Sequence, residues 1–546
     1  GSAGMAIVLA DRAAIFVDGR YTLQVRSETD AALFEPHHLI EDPPEGWVER
    51  TLAAGQVLGY DPWLLTPAQL DKFREAAGKA GASLRAVEPN PLDAIWAPTR
   101  PAQPLGVVRP HPIEFSGKSA TDKRQEIAAT LTAAKRDAVV VTAPDSIAWL
   151  LNIRGADVAH TPLPLGRALL DQEGQVELFI DRRKLAPGIE AHLGNQVAVH
   201  DPDAFGPSLD RFAGKTVQLD PATTPAWIAD RLAAAGARTV RAADPIAVPK
   251  AVKNRVELDG ARAALRRDGA AMVRFLHWLD GAAASGELGE IAASDRLEEF
   301  RAEGELFRDL SFESISSAGS NGAIIHYHAT KETERLIERN SLYLIDSGAQ
   351  YLDGTTDITR TVAVGEPDAE MRDRYTRVLQ GHIALAMAVF PKGTTGPQLD
   401  ILARQPLWKA GVTYDHGTGH GIGSYLAVHE GPARIAALPN TQPLLAGMIL
   451  SNEPGYYKPG GFGVRIENLV AVVPVQIAGA EREMLGFETL TLCPIDLRPI
   501  EVGLLSADEI AWLDSYHDRV RTALLPLIKD SADRAWLDQA TRKLAA

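Results

Sequence analysis

The chain has 546 residues, 45% hydrophobic and 23% charged, a balance that supplies sizeable buried cores and leaves room for about three or four domains. Its 56 basic and 71 acidic residues give a formal charge of −15, and without a run of Lys and Arg this argues against nucleic acid as a partner. A single cysteine, Cys493, excludes an internal disulfide and a cysteine-built metal site, so a reducing, cytoplasmic setting is expected and any metal must use His, Asp or Glu.

In chain order, residues 1–88 alternate apolar runs at 6–9 and 13–17, read as strands, with a helical pattern at 66–77, which makes an α/β segment. Seven prolines between Pro89 and Pro112 fix φ and remove backbone donors, so a linker is expected there. Helical periodicity returns at 121–137, followed by a β-branched strand at 138–142 and another at 176–181. Pro245 and Pro249 mark a second break at 242–250. The domains expected from these breaks are 1–108, 109–248 and 249–546.

Phe16-Val17-Asp18-Gly19-Arg20 and Phe179-Ile180-Asp181-Arg182-Arg183 each end an apolar strand, an echo that coincidence or two related domains would explain equally well. From about Val252 an amphipathic helix runs to Leu279, and glycine-punctuated strands then continue to Leu497, so the C-terminal half reads as α+β. Ser506-Ala507-Asp508-Glu509 is a capping box, and helices close the chain. The longest apolar stretches, such as 469–478, are about half the roughly 20 residues of a membrane helix, so no membrane partner is expected.

Acidic residues and a histidine gather in strand-like surroundings of the C-terminal half, where an unpaired charge is expensive. Asp346 ends an apolar run, and Asp357 opens a second strand eleven residues later, so a hairpin would set the two carboxylates side by side. Gly417-Thr418-Gly419-His420-Gly421-Ile422-Gly423 presents His420 with little bulk around it, Asn452-Glu453-Pro454-Gly455 adds Glu453, and period two puts Arg465 and Glu467 on one strand face. Taken singly, each is an ordinary strand-end or turn residue. Four carboxylates with one imidazole are a hard donor set that suits Mn²⁺, Mg²⁺ or Zn²⁺ in pairs. Two carboxylates about 4 Å apart repel by roughly 4 kcal/mol at an effective dielectric near 20, so the cluster calls for cations or raised pKa values. Asp346-Ser347-Gly348 has no second copy, as an aspartic protease would need, and neither a dinucleotide-binding glycine loop nor a Gly-x-Ser-x-Gly elbow is present.

These five positions, with Asp353-Gly354-Thr355-Thr356-Asp357-Ile358-Thr359-Arg360-Thr361 around one of them, resemble the metallopeptidases of the pita-bread fold, most closely the long, three-domain form of aminopeptidase P. Gly1-Ser2-Ala3-Gly4 and Asp18-Gly19-Arg20-Tyr21 are similar to that family's first domain, and 147–155 to its second. The resemblance implies two creatinase-like α/β domains before a pita-bread catalytic domain, and a family chain that begins some tens of residues upstream of this one. It further implies that Asp346 chelates one metal, His420 and Glu453 the other, and that Asp357 and Glu467 bridge them. Glu453 would also serve as general base, with a metal-activated water attacking the scissile carbonyl. His326 and His429 match residues that contact substrate and stabilise the tetrahedral intermediate, while His416 and Arg465 match residues beside the proline pocket.

Two divalent ions per chain are expected, Mn²⁺ foremost with Zn²⁺ or Co²⁺ as alternatives, in an enzyme that releases the first residue from peptides with proline second. A prolidase-type enzyme shares all five ligands but is a dipeptidase, and the long chain with two preceding domains favours an enzyme that accepts longer peptides. Methionine aminopeptidase lacks those domains, and a non-catalytic peptide-binding module or a creatinase-like enzyme would not retain the full ligand set. A homodimer is expected by resemblance and because Trp512, Leu513, Trp536 and Leu537 in the closing helices need burial.

Overall fold

The computed structural model describes residues 3–544, so Gly1 and Ser2 of the first-domain resemblance lie outside the described residues. The chain forms two compact units, one of residues 1–18 with 25–250 and the other of residues 19–24 with 251–546.

In the first unit, strands Met5–Val8 and Ala13–Val17 pair antiparallel, and Phe34–His38 adds in parallel. Phe16, Trp47, Val48 and Phe73 form the core beneath helices Pro44–Thr51 and Pro67–Lys79. Thr66 starts the latter helix with a reciprocal capping box to Gln69, which satisfies two otherwise orphaned donors. A mixed six-stranded sheet follows, in the order Val197–His200, Val176–Phe179, Arg167–Asp171, Ala138–Val141, Thr216–Leu219 and Arg238–Arg241. The ring of Trp63 stacks on Trp227 with centroids 4.3 Å apart, joining material on either side of the proline-rich stretch.

That stretch is not devoid of regular structure, because Pro91–Trp96 is helical. Pro91 occupies the first helical position, where its missing N–H would be unpaired anyway, and the Asn90 side chain accepts from the Leu92 N–H. The second break likewise holds a short helix, Ala247–Ala251.

The second unit opens with helix Arg255–Ala282, capped by Asn254, and helix Glu290–Ala302. Ala261, Leu265, Met272, Phe275, Leu276 and Leu279 form the buried stripe of the first of these. Strands Ile315–Ala318, Ser341–Ser347 and Ile358–Val364 make one antiparallel sheet. A second, six-stranded sheet runs in the order Val389–Pro391, Met484–Thr489, Asn468–Val475, Ile449–Asn452, Gly419–Gly421 and Glu430–Ile435, antiparallel throughout.

Two long helices interrupt the expected run of strands, Ala369–Ala386 and Gly396–Trp408. The first buries Tyr375, Val378, Leu379, Gly381, His382, Ile383 and Leu385. A helix buried around most of its girth lacks a clean apolar stripe and is hard to tell from strand by periodicity. The closing helices are Ala507–Leu524, with the Ser506–Glu509 capping box formed, and Ser531–Ala540. Leu513 and Leu537 are fully buried, Trp512 and Trp536 are packed against the same core, and the Trp536 indole donates to Asp280 at 2.7 Å. Leu513 and Leu537 are taken up within the chain itself and Trp512 and Trp536 are partly so, which removes them as an argument for a partner surface. Among the described residues no helix is long and apolar enough to cross a membrane.

Candidate metal centre

The hairpin that carries the first two carboxylates forms as strands Ser341–Ser347 and Ile358–Val364, but its register sets Asp346 opposite Thr359 rather than opposite Asp357. Asp357 therefore lies diagonal to Asp346, two positions along, and the two-residue repeat of the strands keeps both on one face. Arg465 ends strand Phe462–Arg465 and Glu467 lies just before strand Asn468–Val475, so the two do not share a single strand as the alternation implied. They converge on Thr359 instead: Arg465 Nε donates to Thr359 Oγ1 at 3.2 Å, and that hydroxyl donates to Glu467 Oε2 at 2.8 Å.

His420 sits in the short strand Gly419–Gly421. Its flanking glycines serve close backbone approach rather than open access, since a Cβ at Gly419 would lie 2.0 Å from the Ser451 carbonyl oxygen and one at Gly421 2.2 Å from that of Glu430. The neighbouring strand thereby brings Glu453 up, with Glu453 Oε1 at 3.4 Å and Asp357 Oδ2 at 3.6 Å from His420 Nε2. Ligand atoms of Asp357, His420 and Glu467 all lie within 4.8 Å of one another. Ser451 Oγ donates to Glu453 Oε1 at 3.2 Å.

His420 Nδ1 lies 3.0 Å from the Gly421 carbonyl oxygen, a partner that can only accept, so this nitrogen carries the proton and Nε2 offers its lone pair to the carboxylates. Burial holds His420 down to about 4, keeping it neutral. Burial first, and then the charges of Glu467, Asp346 and Glu453, push Asp357 well above the usual carboxylate range. Burial and then Glu453 and Asp346 do the same to Glu467. Glu453 is pushed up to about 7, by burial above all, with Asp346 adding to the rise and the Arg465 charge opposing it. Carboxylates that resist ionising together, around an imidazole that resists protonation, are the arrangement that divalent cations relieve.

The donor set passes a second test of fit. Arg465 Nη2 donates to Asp346 Oδ2 at 2.6 Å, whereas among the described residues Asp346 Oδ1 is buried with no hydrogen-bond partner. A buried anionic oxygen left over in a carboxylate cluster suits a metal.

His416 donates from Nδ1 to the Gly417 carbonyl at 2.7 Å, and its Nε2 accepts from the Tyr457 hydroxyl at 2.9 Å. The same hydroxyl accepts from Arg465 Nη1 at 2.7 Å. Both ring nitrogens of His416 are thus engaged, and the residue acts on the site by bracing Arg465 through Tyr457. His429 is exposed, with its ring centroid 4.2 Å from that of His420; the repulsion that would follow if both rings were protonated holds it down to about 3. His326 accepts or donates at Nδ1 to the Tyr21 hydroxyl, 2.7 Å away. His328 stands apart, against Glu313 at 3.2 Å on the surface.

Asp357, Glu453 and Glu467 gather at His420, with His429 beside it and Asp346 tied to Arg465 and, through Tyr457, to His416, while His326 is held by Tyr21; sequence reasoning missed Thr359, Tyr457 and Tyr21. Thr359 had a signal, standing two residues after Asp357 on the same strand face. The roles of Tyr457 and Tyr21 depend on chain crossings that no local pattern reports.

The sequence profile of metallopeptidase family M24 matches residues 259–474, that of the creatinase/prolidase N-terminal domain residues 99–257, and that of the C-terminal region of peptidase M24 residues 483–544. A probable Xaa-Pro aminopeptidase P of Aspergillus niger is 40% identical over 562 residues, covering 100% of this chain and 91% of the relative. The crystal structure of an X-prolyl aminopeptidase from Caenorhabditis elegans, described as a cytosolic enzyme with a di-nuclear active site, superposes with a TM-score of 0.95 at 33% identity, covering 100% of this chain and 90% of that one. A Xaa-Pro dipeptidase from Bacillus anthracis reaches a TM-score of 0.55 at 25% identity, over 69% of this chain and 99% of its own. Carboxylates, histidines and flanking domains agree in one assignment, and the chain belongs to metallopeptidase family M24, with creatinase-type N-terminal domains before its pita-bread catalytic domain.

Proposed function

We infer that the protein is a dinuclear-metal aminopeptidase that hydrolyses the Xaa-Pro bond and releases the N-terminal residue from peptides with proline in second position. The observation that carries this reading is the convergence of Asp357, Glu467 and Glu453 on the neutral Nε2 of His420, in a chain similar along its whole length to enzymes of that activity. We propose that Asp346 holds one ion, His420 and Glu453 the other, and that Asp357 and Glu467 bridge both. Mn²⁺ suits the oxygen-rich set best, with Zn²⁺ or Co²⁺ as alternatives.

Divalent ions held there would polarise the scissile carbonyl and lower the pKa of water. The chain's own groups then have distinct tasks. Glu453, steadied by Ser451, takes a proton from the attacking water and returns it to the leaving proline nitrogen. His326 and His429 donate to the carbonyl oxygen as it becomes negative. The substrate's free ammonium group would lie near Asp346, whose carboxylate would offset its charge and so restrict cleavage to the first bond. Arg465 and His416 shape the proline side of the pocket, Arg465 by holding Asp346 and His416 by holding Tyr457.

A tertiary amide offers no N–H, so the proline ring itself must be read by shape. Replacing that proline by alanine is expected to lower kcat/KM about 10- to 200-fold, and acetylating the substrate amine to abolish cleavage. Rates on tripeptides and longer peptides measure this. Equal rates for the proline and alanine peptides would refute the specificity. Dipeptides cleaved far faster than tripeptides would favour the dipeptidase reading, which the Bacillus anthracis likeness supports over only part of the chain.

We propose the domain limits 1–108, 109–248 and 249–546, and a cytoplasmic location, supported by the lone buried Cys493 and the cytosolic relative. A homodimer is proposed on family resemblance alone. Sedimentation at micromolar concentration is expected to give twice the chain mass of 58.7 kDa, and a species of the single mass would rule it out.

A further inference from the structure

Residues 19–24 are separated by more than 200 residues from the rest of the catalytic unit, yet they belong to it. The segment is a short turn of 3₁₀ helix, Gly19–Tyr21, with Gly19 and Tyr21 buried. Gly19 fits because it lacks a side chain: a Cβ there would stand 2.4 Å from Asp415 Cβ and 2.7 Å from the Asp415 carbonyl oxygen. The segment is thereby seated against the residue that precedes His416. From it the Tyr21 ring meets His326 edge to face, with centroids 5.2 Å apart and planes at 81°, and its hydroxyl lies 2.7 Å from His326 Nδ1. The charge of Arg20, next in the chain, is felt at His420, His429 and Glu453.

We propose that Tyr21 is a positioning residue for His326: its hydroxyl donates to Nδ1, fixes the ring in the tautomer protonated at Nε2, and aims that N–H at the substrate carbonyl oxygen. A neutral imidazole has one donor and one acceptor nitrogen, and whichever partner occupies Nδ1 decides which role is left to Nε2. A hydroxyl can fill either role toward Nδ1, but only as donor does it leave Nε2 able to stabilise a developing negative charge. The proposal rests on the substrate-contacting role of His326 given above.

The experiment is a double-mutant cycle on the metal-loaded, full-length enzyme with a Xaa-Pro tripeptide. His326→Ala alone is expected to lower kcat about 100-fold, as for loss of a donor to the oxyanion. Tyr21→Phe keeps the ring and its packing, and is expected to lower kcat about 10-fold with little change in KM. Because Tyr21 acts only through His326, adding Tyr21→Phe to His326→Ala is expected to change the rate less than twofold. A wild-type rate for His326→Ala would overturn the role of His326 itself. An impaired His326→Ala beside an unimpaired Tyr21→Phe, or additive losses, would overturn the positioning role alone. A second measurement needs no change at Tyr21: ¹⁵N spectra of the histidine-labelled, zinc-loaded protein, with the His326 signal assigned through His326→Gln. They are expected to show the proton on Nε2, and a proton on Nδ1 would overturn the proposal even if Tyr21→Phe failed to fold.

Discussion

Asp357→Asn is expected to lower kcat/KM by about 10³-fold, the equivalent of about 4 kcal/mol of lost transition-state stabilisation, while the protein remains folded. Asparagine keeps the shape of the side chain but removes a charge that the proposed arrangement shares between both ions. Metal analysis after mild dialysis is expected to show close to two ions per wild-type chain and one or fewer in the variant. The metal-free variant should be no less stable than the metal-free wild type, and its melting temperature should rise, because Asp357 is buried among Glu467, Asp346 and Glu453 and the substitution relieves their repulsion. Wild-type turnover by Asp357→Asn would remove it from the ligand set.

Stripping the metals is expected to destabilise the catalytic unit far more at pH 7.5 than at pH 5.5. In the metal-free fold Glu453 is pushed up to about 7 from an ordinary 4.5, and Asp357 and Glu467 are displaced in the same direction, chiefly by burial. Between about pH 4 and the raised folded values the unfolded chain has lost these protons and the folded one retains them. The unfolded state then binds fewer protons, so metal-free stability falls as pH rises through this window and levels off above it. For Glu453 alone the loss is on the order of 3 kcal/mol. Bound cations supply the compensating charge that protons otherwise provide, and they do so best when the carboxylates are ionised. Calorimetry with and without chelator should therefore show a drop in melting temperature that is about 5–10 °C larger at pH 7.5 than at pH 5.5. An equal drop at both pH values would show that the carboxylate repulsion is not what the metals relieve.

Local patterns in the sequence carried much of the architecture. The helix after Thr66, the Ser506 capping box, the strand at 138–142 and the long helix after Asn254 all stand within a residue or a few of where side-chain chemistry and periodicity put them. Such features depend on neighbours three or four positions away, or two along a strand, and so survive without knowledge of the rest of the chain. Helix Ala369–Ala386 did not, since burial on several sides erases the contrast between faces, and helix Gly396–Trp408 did not, since its single buried face includes Asp400 and Arg404 while Ile401 and Trp408 are exposed.

By itself the sequence determined the donor chemistry open to this protein: one cysteine left only oxygen and imidazole ligands, and Asp346, Asp357, His420, Glu453 and Glu467 stood out as candidates by occurring together, not one by one. Only the tertiary structure decided how those groups are held. The hairpin register put Asp346 opposite Thr359, the Gly421 carbonyl turned the Nε2 lone pair of His420 toward the carboxylates, Thr359 drew Arg465 and Glu467 together across a strand break, and Tyr21 reached His326 from 305 residues away. The physical reason is range: the identity of a ligand is a property of one side chain, whereas its orientation, tautomer and charge state are set by partners that meet only when distant strands close on one another.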